Sequence, residues 1–143
     1  MTRENKGHFA QKHTDARLNE KIAQAIRSEV IEGELFCANA FKIAGDLSVK
    51  PGDVGRNADL LEIPIVKCQL GLFGYPPQGK VVKPAESVAT DLEEAIQKEL
   101  VNGRLSCAAA LTLAAKCKVP KMVISSACEK MRIKINFCQL GTF

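Results

Sequence analysis

Apolar residues recur along this chain first at helical and then at strand spacing, and the whole pattern occurs twice. Ile22, Ile26, Val30 and Ile31 follow the helical period up to Gly33, which predicts a first helix with Asp15 as candidate N-cap and the glycine as its stop. Ala40, Ile43, Ala44 and Leu47 share one face of a second helix running from Cys37. Val49 stands in a turn, and Val54, Ala58 and Leu61 mark a third helix opened by Pro51, a residue suited to a first helical turn. Beyond it, Ile63-Pro64-Ile65-Val66-Lys67-Cys68 alternates as a strand does, with Pro64 restricting it to an edge or a strand start and Leu35 as a candidate partner.

Sliding the sequence over itself by about seventy residues superposes residues 15–73 on residues 85–143 without a gap. Gly33, Leu35, Cys37, Ala38, Ala40, Ala44, Val49, Ile63 and Ile65 fall on Gly103, Leu105, Cys107, Ala108, Ala110, Ala114, Val119, Ile133 and Ile135. Both copies close on the same segment, Cys68-Gln69-Leu70-Gly71-x-Phe73 and Cys138-Gln139-Leu140-Gly141-x-Phe143. In the second copy Ser106 is well placed to cap helix two, and Pro120 stands at the start of helix three. The organisation expected is a basic N-terminal arm at 1–14, repeat one at 15–73, a Gly- and Pro-bearing linker at 74–84 and repeat two at 85–143.

A small residue in helix two, an apolar residue in the turn and another early in helix three form a helix-turn-helix pattern, kept in both copies. The glycine frequent in such turns is replaced by Ser48 and by Lys118. Three helices and a short β element per copy predict a mainly α protein of two tandem winged-helix-like domains, each with a short β-hairpin in place of a long wing. The arm Lys6-Gly7-His8-Phe9-Ala10-x-Lys12-His13 followed by the two Cys-Gln-Leu-Gly-x-Phe ends resembles a small, largely uncharacterised prokaryotic family of duplicated winged helix-turn-helix domains. That resemblance covers nearly the whole chain and implies the fold; it implies no activity.

Charge changes this picture only when it is divided between the copies. The formal net charge of +4 is far from that of a strongly basic nucleic-acid binder. Residues 15–73, however, hold seven basic and nine acidic side chains, whereas residues 85–143 hold eight basic and six acidic. Since the third helix of a helix-turn-helix enters the major groove, Lys118, Lys121, Ser125, Ser126, Lys130, Arg132 and Lys134 of the second copy are the candidate DNA contacts. Arg56 and Asn57 are the candidates in the first, amid Asp53, Asp59 and Glu62. Arg3, Lys6, His8, Lys12 and His13 in the arm suit a minor groove, although chain termini are more often disordered.

The first fifteen residues lack an apolar core and no long apolar run occurs, so a cytoplasmic protein with no membrane association is expected. In that setting the six cysteines are thiols. Cys37 with Cys68, and Cys107 with Cys138, are candidate redox pairs or half-sites for a metal, with core packing the simpler account; Cys117 and Cys128 fall on inward helix positions. No close-spaced cysteine pair supports zinc, and no acid–base pair, nucleophile with a histidine partner, phosphate loop or dinucleotide fingerprint appears. No catalysis and no cofactor are expected. The function expected is double-stranded DNA binding, as a transcriptional regulator or accessory factor. The alternative is an adaptor that binds a protein partner or itself, with Leu72, Phe73 and Tyr75 as candidate surface.

Overall fold

A computed structural model describes residues 17–143. These divide into two compact units, and the division does not follow the repeat. One unit holds the residues up to Cys68 together with Gln139–Phe143, and the other holds Gln69–Cys138. Each unit is therefore completed by the closing segment of the opposite copy.

In the first unit α1 (Glu20–Glu29) opens at Asn19, whose Oδ1 accepts from the Ile22 amide at 3.1 Å. Asp15 lies outside the described residues, as does the arm with its His8 and His13. Ile22, Ala23 and Ile26 of α1 are buried. The helix ends before its predicted glycine: Val30 is already extended, and Ile31 and Glu34 exchange both backbone hydrogen bonds across Glu32 and Gly33, which have φ of 51° and 80°. Two successive positive φ values make this a type I′ turn, so the conserved-register glycine serves the turn and not the helix terminus.

That turn delivers β1 (Leu35–Phe36), which runs directly into α2 (Cys37–Leu47) with Cys37, Ala40, Ile43 and Ala44 turned inward. Ser48 closes α2 in the left-handed conformation (φ 56°, ψ 42°), and the Val49 amide returns to the Ala44 carbonyl at 3.0 Å. Pro51 then starts α3 (Pro51–Leu60), in which Val54 and Ala58 are fully buried. Serine lacks glycine's freedom, so this turn costs about 1 kcal/mol in backbone strain that packing offsets.

The predicted strand is β2 (Ile65–Val66), and Leu35 is its partner, but the pair is not a hairpin. Leu35 and Phe36 pair in parallel with Ile65 and Val66. A hairpin needs strands joined by a short loop, whereas α2 and α3 both lie between these two and supply the long crossover that a parallel pair requires. Alternation in the sequence carries no information about strand direction.

The second unit repeats this frame with α4 (Thr90–Lys98), β3 (Leu105–Ser106), α5 (Cys107–Cys117), α6 (Lys121–Met131) and β4 (Ile135–Asn136). β3 and β4 are again parallel, and Ser106 caps α5 by accepting from the Ala109 amide at 3.1 Å. Ile96, Leu105, Ala110, Leu113, Ala114, Ile124, Ala127 and Cys128 form its core. Positive φ recurs at matching places, Glu32 and Asn102, Ser48 and Lys118, Glu62 and Arg132, Lys67 and Phe137, although no pair shares a residue type. No helix among the described residues is long and apolar enough to cross a membrane.

Closing segments lie against the third helix of each unit. In the first, Leu140 is 2% exposed and its carbonyl occupies the place a side chain on Gly55 would need, with the Gln139 carbonyl beside Gly52. In the second, Leu70 is equally buried, and its carbonyl accepts the Ser125 hydroxyl at 2.7 Å. Gly55 and Ser125 are the same position of the repeat, so one site is opened by the lack of a side chain and the other is closed by a hydrogen bond.

Candidate nucleic-acid interface

Five of the residues expected to meet DNA are exposed and surround α6. Lys118 sits in the left-handed turn before it, Lys121 is its first residue, Lys130 lies in its last turn, Arg132 is its left-handed C-cap and Lys134 precedes β4. None of the five forms an ion pair with another described residue. The matching positions of the first unit are Ser48, Pro51, Leu60, Glu62 and Pro64, none of them basic. At 1.5 Å per residue α6 is about 16 Å long, so cations at both of its ends bracket a span comparable with a major groove about 12 Å wide.

Ser125 and Asn57 are corrected by the structure, since neither is available to a base edge. Ser125 is 1% exposed, and its hydroxyl is engaged with the Leu70 and Met122 carbonyls. Asn57 is fully buried; its Oδ1 accepts from the Asn19 amide at 2.7 Å and its Nδ2 donates to the Asp53 carbonyl at 2.8 Å. Polar residues on a helix look alike in sequence whether they face solvent or satisfy buried backbone. Arg56 is half-exposed but paired with Asp53 at 2.9 Å, one turn away on the same helix.

Ser126 is half-exposed, and residues of the predicted linker lie over it. Its hydroxyl donates to the Lys83 carbonyl, its own carbonyl accepts from the Ala85 amide at 3.0 Å, and Lys80 pairs with Glu129 one turn further along α6. Val82 is buried, and Val81, Val82 and Met122 surround Gly71. The segment thus lies over Ser126 and Glu129 of α6. Val123 and Lys130, near the two ends of α6, stay exposed. Reading the segment as a linker missed this docking, and the adjacent Val81-Val82 in an otherwise polar stretch was the available signal. Met122 and Val123, exposed apolar residues at the start of α6, were not anticipated as surface either.

None of the six cysteines is joined in a disulfide. Cys37, Cys68, Cys107 and Cys128 are buried, while Cys138 and, against expectation, Cys117 are partly exposed. Cys117 lines a depression of about 250 Å³ between α4 and α5 together with Asp91, Glu94, Lys98, Glu99 and Lys116. Among the described residues no three or more His, Cys, Asp or Glu side chains are grouped to hold a metal ion.

Burial, and secondarily the neighbouring Glu129 carboxylate, pushes the Cys128 thiol from its ordinary 9.0 up to about 11. The fold therefore favours the protonated thiol: the stability it contributes is complete below pH 9 and is lost between pH 9 and 11, as the unfolded chain ionises first. Its slope there approaches about 1 kcal/mol per pH unit. Cys128→Ala, which installs the residue found at Ala58 in the other copy, is expected to flatten that alkaline loss in denaturant titrations at pH 8 to 11. Parallel pH profiles of variant and parent would refute this assignment.

Comparison with protein families, characterised proteins and solved structures finds no match to this chain.

Proposed function

We propose that this chain is a tandem helix-turn-helix protein that binds double-stranded DNA through its second unit, as a transcriptional regulator or accessory factor. The observation that carries the reading is the set Lys118, Lys121, Lys130, Arg132 and Lys134: five exposed cations without ion-pair partners among the described residues, framing the third helix of one copy and missing from the other. These five positions are basic in one copy alone, which makes one unit the reader and the other its scaffold. In this reading the lysines and Arg132 hold phosphates at the two ends of α6, and Val123 and Lys130, which share one face of the helix, lie toward the bases.

The test is titration of a fluorescent random-sequence duplex at low and moderate salt, read by anisotropy. Lys121→Glu with Lys130→Glu is expected to weaken binding roughly tenfold or more and to lower the salt slope by about two, close to one released counterion per phosphate contact. Unchanged affinity would reject the assigned face. No binding by the parent chain even at low salt would favour the adaptor reading, for which Phe137, 73% exposed beside β4, is the most prominent apolar surface.

A further inference from the structure

We propose that the face of α3 carrying Gly52 and Gly55 is a docking site for the Gln-Leu-Gly-x-Phe segment of a second copy of this chain. The site takes a segment that is not supplied by its own repeat. In each unit the bound segment comes from the opposite copy, so sequence proximity does not govern the pairing. Its shape is specific: Gly55 has no side chain where the Leu140 carbonyl lies, and the Leu140 side chain is buried alongside. Ser125 and Leu70 repeat the contact in the second unit with a hydrogen bond added.

The two segments share Gln, Leu, Gly and Phe and differ at Leu72 and Thr142. Neither groove can therefore distinguish a segment of its own chain from the same segment of another molecule. What favours the internal one is effective concentration, on the order of millimolar for a short tether. When the internal segment is displaced or absent, an external one makes the same contacts, and reciprocal exchange of this kind is a known route to dimers.

Complementation of two defective chains tests the site. Gly55→Ala obstructs the groove and frees residues 139–143, whereas a chain ending at Cys138 has an open groove and no segment to fill it. Mixed, the two are expected to form a one-to-one heterodimer by native mass spectrometry, while neither alone dimerises. Both chains folded by circular dichroism yet monomeric on mixing would overturn the proposal. Should either fail to fold, Leu140→Ala in the full-length chain supplies a loosened segment. The labelled peptide acetyl-Gln-Leu-Gly-Thr-Phe is then expected to bind this variant roughly tenfold more tightly than the parent, whose own segment competes. Equal binding to both, or none to a folded Leu140→Ala chain, would also overturn it.

Discussion

Replacing Gly55 with alanine is expected to destabilise the protein by about 0.5–2 kcal/mol, although alanine in a helix interior ordinarily gains about 1 kcal/mol over glycine. Gly55 lies within α3, and a methyl group there overlaps the backbone carbonyl of Leu140. A carbonyl in a docked segment cannot rotate aside as a long side chain does. The segment therefore leaves, exposing a leucine whose burial is worth about 1.5–3 kcal/mol. Gly45 is the internal control, being a helical glycine of α2 with nothing within 4 Å of the place its Cβ would take. Gly45→Ala is expected to raise stability by about 0.5–1 kcal/mol. Urea unfolding of the two variants decides the matter, and a Gly55→Ala protein as stable as Gly45→Ala would show that residues 139–143 do not rest on α3.

Asn57→Ala is expected to cost about 2–3 kcal/mol and to loosen the start of α1. Its two side-chain groups tie three places together: Oδ1 receives the Asn19 amide, Nδ2 reaches the Asp53 carbonyl, and Asn19 in turn caps α1 through the Ile22 amide. Alanine leaves the part-buried Asn19 amide without its acceptor, a loss of about 1–3 kcal/mol, and removes the second donor to the Asp53 carbonyl. The second copy has Ala127 and Ala89 at these places, and α4 begins without a side-chain cap. Hydrogen exchange is therefore expected to accelerate at the Ile22 and Ala23 amides while the amides of α4 are unaffected. Unchanged protection at Ile22 would mean that Asn57 fills space and does not hold the helix terminus.

These positions show how unevenly sequence reports on a site. Asn57 and Ser125 stand on third helices beside basic residues and resemble base-reading polar side chains. Their role is set by what packs over them, Asn19 in one case and Leu70 in the other. Lys118, Lys121, Lys130, Arg132 and Lys134 were legible as surface because long cationic side chains are almost never buried without a partner. Ser126 falls between: its position on α6 was foreseen, but the cover of Lys83 and Ala85 was not.

The duplication, the three helices of each copy, the inward positions Ile22, Ile26, Ala40, Ile43, Ala44, Val54 and Ala58, the Ser106 cap and the difference in charge between copies were determined by the sequence alone. Each depends on a local period or on the chemistry of a single residue. Ile31, Val101 and Cys117, expected on the same faces, are not buried. Only the tertiary structure decided that the strands pair in parallel, that left-handed turns form at Ser48 and Lys118 without glycine, and that the closing segments change places. Periodicity records which face of an element is apolar and leaves open what covers it. Where two copies end in nearly the same residues, both partners satisfy the pattern equally, and only the packing of the whole chain chooses between them.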